Sequence, residues 1–239
     1  MDKITLSIYV PCFNEENNIA NTLNKIKEAV QHISYEVLIV DDASKDKTTD
    51  MAEKFKKNNP NVNIKIIRNE NNKGIGFNHR VTAYKAIGKY YMMIAGDAPE
   101  PSAEIKKVVN NIGKADMILT YLVDKRGITR RVLSKIFSFA VNLITLNNIK
   151  YYNGPNIHLL ENVKLYSGKR SGFGYSAELI TAQIRERKTY VDVEISPYIK
   201  PSRKGQLLDP RVIPSVIGSI ISIFFNQIIH LVKKILKIK

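Results

Sequence analysis

Strand-like and helix-like patterns alternate along most of this chain, and that alternation limits the fold more than any other feature. Short apolar runs at Ile4–Val10, Glu36–Asp41, Val62–Arg68 and Tyr90–Ala95 have the β-branched or aromatic character of buried strands. Helical patterns fill the intervals at Glu16–His32, Asp46–Lys57 and Gly76–Ile87. This order is the signature of a doubly wound α/β sheet. A helix near Ser102–Ile112 and a strand near Asp116–Leu122 continue it. Thr129–Leu146 reads as a helix with a basic start at Arg130 and Arg131 and a broad apolar face of Val132, Ile136, Phe139, Leu143 and Ile144. Tyr151–His158 reads as a loop, Tyr175–Arg187 as a helix and Tyr190–Ile195 as a strand. The 239 residues contain no Pro/Gly/Ser-rich linker, so one large domain is expected over residues 1–205, with a distinct segment at 206–239.

Within that frame, the run Val40-Asp41-Asp42-Ala43-Ser44-Lys45-Asp46-Lys47-Thr48 places two adjacent carboxylates where an apolar strand ends and a helix begins. Ligands of open α/β sheets bind outside the carboxyl ends of the strands, so Asp41 and Asp42 are candidates for gripping a nucleotide there. Ionised carboxylates accept hydrogen bonds only, which suits ribose hydroxyls or the donor edge of a base. The same residues also suit a local role, an Asx turn at Asp42 and a helix cap at Ser44.

The formal charge of +15 points to an anionic partner: nucleic acid, a membrane surface or a phosphorylated ligand. Nucleic acid would account for the charge but not for a crevice lined with carboxylates. Cys12 is the single cysteine, which excludes an intrachain disulfide and a cysteine-rich zinc site and fits a reducing, cytoplasmic setting. His32, His79, His158 and His230 are scattered without metal-ligand spacing. The amino-terminal residues already read as a strand, so no secretory signal is expected.

The segment from Val212 to Val232 has no Asp, Glu, Lys or Arg and is long enough to span a bilayer. Its polar residues, however, recur every three or four positions: Ser215, Ser219, Ser222, Asn226 and His230, then Lys233 and Lys237. Ile217, Ile220, Ile221, Phe224, Ile228, Leu231 and Ile235 form the opposing stripe. An amphipathic helix with a lysine-rich end is the better fit, lying on an anionic membrane or packing on a partner. That partner would be a membrane protein or a second copy of the chain, and a helix folded back on its own core is the alternative.

Three segments converge at the carboxyl ends of the early strands: Pro11-Cys12-Phe13-Asn14-Glu15-Glu16, Asp41-Asp42 and Ala95-Gly96-Asp97. The strings VPCFNEE, VDDASKDKT and NKGIGFNHRVTAYKAIGKYYMMIAGD resemble family 2 glycosyltransferases of the GT-A fold, especially the catalytic domains of dolichyl- or polyprenyl-phosphate sugar synthases. The resemblance covers roughly residues 4 to 205 and implies a Rossmann-like nucleotide-binding sheet flanked by helices. It assigns the nucleotide to Pro11, Phe13, Glu15, Asp41 and Asp42 and to the Asn72-Lys73-Gly74-Ile75-Gly76 segment. There, Gly74 and Gly76 allow close backbone approach before a helix amino terminus. The family's Asp-x-Asp element, which holds Mg²⁺ or Mn²⁺ against the diphosphate, falls at Ala95-Gly96-Asp97. Ala95 replaces the first carboxylate, leaving Asp97 as the metal ligand with Glu100 as a candidate second.

Departure of a nucleoside diphosphate leaves negative charge on its terminal phosphate, which a metal or clustered cations must stabilise. By resemblance, Arg126, Arg130, Arg131 and Arg203 in Arg203-Lys204-Gly205 lie near the phosphates, with Arg131 and Arg203 the foremost candidates. Transfer to a sugar hydroxyl needs a base, for which Glu178 or Asp209 is available, whereas a phosphate acceptor is already ionised. The resemblance therefore implies an inverting transferase using a nucleoside diphosphate sugar and a polyprenyl phosphate at the cytoplasmic face of the membrane. Transfer to a glycan hydroxyl with Glu178 as base is a second reading, and a non-catalytic sugar-nucleotide-binding relative, suggested by Ala95, is a third.

Overall fold

A computed structural model describes residues 3–98, 100–123, 128–166, 172, 174–196 and 213–236. Seven strands form one mixed sheet. They are β1 (Leu6–Cys12), β2 (Tyr35–Asp41), β3 (Asn63–Arg68), β4 (Tyr90–Met93), β5 (Met117–Leu122), β6 (Ile157–Leu159) and β7 (Tyr190–Ile195). Their spatial order is β3-β2-β1-β4-β6-β5-β7. All neighbours are parallel except β6, which runs antiparallel to β4 and β5. Chain order reverses between β1 and β4, which makes that edge of β1 a topological switch point.

The helices are α1 (Ile19–Val30), α2 (Thr48–Asn58), α3 (Ile75–Lys85), α4 (Ser102–Val109), α5 (Ile128–Thr145), α6 (Leu160–Leu165), α7 (Tyr175–Arg185) and α8 (Ile213–Ile235). Period-two alternation assigns the two faces of the sheet. Leu6, Ile8, Val10, Val37, Ile39 and Met92 pack with Ile19, Leu23 and Ile26 of α1, Phe55 of α2 and Ile105 of α4. On the other face Tyr9, Leu38, Val40 and Tyr91 meet Ala83 of α3, Val163 of α6 and Leu179 of α7. A third cluster joins Met117 and Leu119 to Val141 of α5, Ile180 of α7 and Ile223 of α8. Burying each such aliphatic side chain contributes about 1.5–3 kcal/mol, which is why continuous apolar strands hold the middle of the sheet.

The expected alternation is present, with element ends displaced by a few residues. Two elements differ in kind. Part of the expected loop at Tyr151–His158 enters β6, and the six-residue α6 follows at once. The carboxy-terminal helix is present, and it packs against α5 and α7. The face that meets the protein is mixed: Ser219 and Ile223 are buried, and Ser222 donates to Glu178 Oε2 at 3.3 Å. A Cβ on Gly174 would collide with the Ser219 hydroxyl, so the helix approaches as closely as a glycine permits. Large apolar residues of α8, among them Ile217, Ile221, Phe224, Phe225 and Ile228, are exposed.

Candidate active site

Because β3, β2, β1 and β4 are parallel, the loops that follow them meet on one side of the sheet. The first two loops to clasp are those after β1 and β2. Asn14 N–H donates to Ser44 Oγ at 2.9 Å and Lys45 N–H returns a bond to Asn14 Oδ1 at 2.9 Å. Glu15 N–H donates to Thr48 Oγ1 at 2.8 Å, and Lys47 N–H to Glu16 Oε2 at 3.0 Å. Each loop contains a left-handed residue, Asn14 at φ 56° and Ala43 at φ 66°. Asn tolerates that region; for Ala it costs about 1–2 kcal/mol, which the clasp between the loops must offset.

The paired carboxylates divide their tasks. Asp41 is 1% exposed: its Oδ1 accepts from Ser44 N–H at 2.8 Å, and its Oδ2 accepts from the Thr49 hydroxyl and lies 3.9 Å from Arg68 Nε. It therefore shapes the loop from inside, whereas the side chain of Asp42 bonds away from the local turn expected of it. Asp42 ties the β2 loop to the next one. Its Oδ1 accepts from Asn69 Nδ2 and Lys73 N–H, each at 2.8 Å, and its Oδ2 accepts from Gly74 N–H at 2.9 Å. Burial alone would raise the Asp42 pKa, but bonds from Lys73, Asn69, Asn78 and Gly74 outweigh it and hold the carboxyl below its ordinary value. Gly74, at φ 83° and ψ 154°, occupies backbone space essentially reserved for glycine, and this geometry turns its N–H towards Asp42. Gly76 is buried in the first turn of α3.

Together these loops enclose a cleft of about 640 Å³ lined by Phe13, Ala43, Ser44, Lys45, Arg68, Asn69, Glu70, Asn71 and Asn72. Phe13, 48% exposed, offers a ring to stack on, Arg68 and Lys45 supply cations, and the asparagines supply donors and acceptors. Asp42 stands behind this wall and orients Asn69. Glu15, by contrast, is 7% exposed and its carboxylate accepts from Asn18 Nδ2 at 2.7 Å, so it stabilises the β1 loop from within. Pro11 is a strand residue opposite Val40, and its carbonyl accepts from Gly96 N–H at 2.9 Å.

That last bond brings the Ala95-Gly96-Asp97 segment to the switch point. A Cβ on Gly96 would stand 2.8 Å from Pro11 O and 2.9 Å from Cys12 Sγ, so this segment and the β1 loop touch through backbone. Thr22 Oγ1 donates to Gly96 O and Lys25 Nζ to Ala98 O, each at 2.7 Å, which fixes the turn. Asp97 is half-buried there. Among the described residues no group of three or more His, Cys, Asp or Glu is placed to hold a metal. Mg²⁺ commonly takes one or two protein carboxylates and completes its shell from phosphates and water, so the half-buried Asp97 is compatible with such an ion. Glu100 is buried, and desolvation raises its carboxyl to about 7 against the opposing influence of its own backbone N–H and of Lys25.

Arg131 is in the first turn of α5, half-buried. Arg126, Arg203 and Asp209 lie outside the described residues, and nothing is described of the Arg130 side chain. Glu178 is 3% exposed and accepts from Tyr166 Oη at 2.9 Å and from Ser222 Oγ of α8, so it is covered by α8 rather than open to an acceptor. The buried His79 and His158 are held neutral by desolvation, at about 3 and about 4, and are core residues.

The Glycosyl transferase family 2 model matches residues 7–176. This chain belongs to glycosyl transferase family 2. The match takes in the whole clasp of loops and the Ala95–Asp97 turn. Among curated relatives of this family 2 chain is the dolichyl-phosphate beta-glucosyltransferase of Dictyostelium discoideum, 26% identical over 170 residues, covering 63% of this chain and 52% of that one. The dolichol-phosphate mannosyltransferase of Pyrococcus furiosus is 29% identical over 108 residues, covering 45% and 30%. The chain thus spans about half the length, or less, of these relatives. Among solved structures, glucosyl-3-phosphoglycerate synthase from Mycobacterium tuberculosis, in complex with Mn²⁺, UDP and glucosyl-3-phosphoglycerate, superposes with a TM-score of 0.70 at 17% identity, covering 92% of this chain and 80% of that one. S. aureus TarS in complex with UDP gives 0.60 at 19% identity, covering 92% and 65%. At such identity these likenesses bear on the fold, which is GT-A-like.

Arg68, Asn69 and Lys45 were not singled out by the sequence. Their signal was positional: Arg68 and Asn69 end β3 as Asp41 and Asp42 end β2, since Asp41 is in register with Arg68.

Proposed function

We propose that this chain transfers a sugar from a nucleoside diphosphate donor, a UDP-sugar foremost, to a polyprenyl phosphate at the cytoplasmic face of a membrane. The relatives named as dolichyl-phosphate transferases support the acceptor class, and the UDP-bound neighbours support the donor. The observation that carries the choice of acceptor is Glu178. The described carboxylate suggested as a base is enclosed under α8 with Tyr166 and Ser222, and a phosphate acceptor needs no base.

In this reading the base stacks on Phe13 in the cleft, with Asn69, held by Asp42, and Arg68 contacting the nucleoside. Asp41 acts through the loop it shapes, and Gly74 lets the backbone of the third loop come close. An oxygen of the acceptor phosphate attacks the anomeric carbon from the face opposite the leaving group. The bond to the diphosphate breaks with its electron pair, inverting the configuration and releasing the nucleoside diphosphate. A divalent ion, when bound, would offset the charge gathering on that leaving group, with Asp97 holding it. Arg131 and Arg203 contribute cations to the two phosphate groups.

Incubating the chain with radiolabelled UDP-glucose or UDP-N-acetylglucosamine and polyprenyl phosphate vesicles is expected to give an organic-extractable glycolipid. The same donors with an unphosphorylated polyprenol or a soluble glycan are expected to give no transfer. Transfer to the glycan, abolished by Glu178→Gln without loss of UDP binding, would move the assignment to a hydroxyl acceptor.

A further inference from the structure

We infer that the side-chain carbonyl oxygen of Asn69 selects the donor's base: it accepts from a ring N–H, and so admits uracil or guanine and turns away cytosine and adenine. The inference rests on the nucleoside diphosphate reading proposed above and deepens it.

The sequence motif would aim Asp42 at the base, but the lone pairs of that carboxylate are already taken. A carboxylate offers about four acceptor positions. Asp42 fills them from its own chain, with the Asn69 amide and Lys73 N–H on Oδ1, Gly74 N–H on Oδ2, and the Asn78 amide besides. Only 7% of the residue is exposed. A base entering the cleft would have to break one of these bonds to reach it.

Asn69 is placed differently. Its backbone N–H donates to Asp41 O at 2.9 Å, which continues the pairing of β2 and β3 one residue past the end of β3. Its side-chain Nδ2 gives one hydrogen to Asp42 Oδ1 and the other to Asn78 Oδ1, each at 2.8 Å. Both hydrogens of the amide are thus spent on buried partners, and the group cannot turn round, because Oδ1 would then face a carboxylate oxygen. Among the described residues nothing donates to Asn69 Oδ1, and that atom is not buried. It is left as an accessible acceptor in the wall of the cleft, beside the Phe13 ring on which a base would stack.

Chemistry then decides the ligand. Uracil carries N3–H between two carbonyls, and guanine carries N1–H beside one, so each offers a donor to a single acceptor. Cytosine N3 and adenine N1 are themselves acceptors and would meet Asn69 Oδ1 lone pair to lone pair. A polar group opposed in this way costs binding, whereas losing a contact with Arg68 or Lys45 would weaken every nucleotide alike. Asn78, 3% exposed, is too buried to touch the ligand and serves as a positioning residue for the Asn69 amide.

The test is calorimetric binding of UDP, GDP, CDP and ADP to the full chain, each with Mg²⁺ and with no acceptor present. UDP or GDP is expected to bind at least about tenfold tighter than CDP and ADP, and the tighter of the two names the base. That nucleotide methylated at the ring nitrogen, N3 of uracil or N1 of guanine, is expected to bind about tenfold more weakly than its parent. Asn69→Ala is expected to abolish both differences by weakening the preferred nucleotide alone, with CDP binding unchanged, which a general loss of loop structure would not do. Asn78→Ala, which frees one amide hydrogen, is expected to narrow the same ratio while CDP binding holds. The panel on the unaltered chain stands without any variant: CDP bound as tightly as UDP and GDP would overturn the inference. So would Asn69→Ala weakening the preferred nucleotide and CDP by one factor. Binding of none of the four would overturn the donor reading itself, so the two failures are told apart.

Discussion

The Asp42 carboxylate accepts from the Lys73 and Gly74 N–H groups and from the Asn69 amide, and Asn78 also contributes to holding it. Replacing Asp42 with Ala strands the Lys73 and Gly74 N–H groups and releases Asn69 from the cleft wall. The expected loss is about 2–3 kcal/mol of stability and at least a tenfold weakening of UDP binding, read by chemical denaturation and calorimetry. Gly74→Ala should weaken UDP binding in the same direction by swinging that N–H away. Glu100 makes a pH prediction. Its carboxyl titrates at about 7 in the folded chain against an ordinary 4.5. Between those values the folded state holds the extra proton, so stability falls as pH rises from about 4.5 to about 7. Glu100→Gln should remove that fall and leave the chain up to about 3 kcal/mol more stable above pH 7, seen as flat denaturation midpoints across that range. Asp42 has the opposite sign: its contribution is full above the ordinary aspartate value and is lost as pH falls through its lowered one.

Elements whose own sequence carries their stability were legible, and elements made by their neighbours were not. β2 is a run of Val37, Leu38, Ile39 and Val40 buried on both faces, so its period and ends are written in its residues. β6 has three residues and exists because β4 and β5 flank it; nothing in Ile157-His158-Leu159 alone distinguishes it from the loop before it. The same contrast runs through the site. Motif carboxylates point to the loops after the strands, yet how each is used there depends on Thr49, Ser44 and Asn69, whose bonds no spacing rule specifies. For α8 the amphipathic period was plain, whereas the side it turns inward depended on Gly174 and Glu178 of another helix. Gly174→Val should therefore force α8 from α7. Faster amide exchange in 213–236 with unchanged protection in β1, β2 and β4 is the expected readout; protection unchanged in α8 would mean that the contact is not what holds it.

Across the molecule, the proposed reading has nucleotide and metal meeting the sheet at the switch point between β1 and β4. A ligand present at one hundred times its Kd stabilises by about 2.7 kcal/mol, which for a chain of this size is a rise of about 5–10 °C in Tm. If Asp97 holds the ion with UDP supplying the other oxygens, Mn²⁺ or Mg²⁺ alone should leave Tm unchanged, and should add to the shift only when UDP is present. Asp97→Asn should abolish that increment and leave the shift from UDP itself. An ion-induced shift without nucleotide would point to a protein cage that the donor set does not provide.

The contact of Ser222 with Glu178 also bears on how the chain can be handled. Cutting before residue 213 to obtain a more soluble domain would leave the α7 surface around Gly174 and a carboxylate opened to water that α8 had covered. Such a fragment would differ from the full chain in hydration and charge next to Tyr166 as well as in membrane affinity. Substitutions on the outward stripe of α8 are the cleaner way to separate lipid contact from folding.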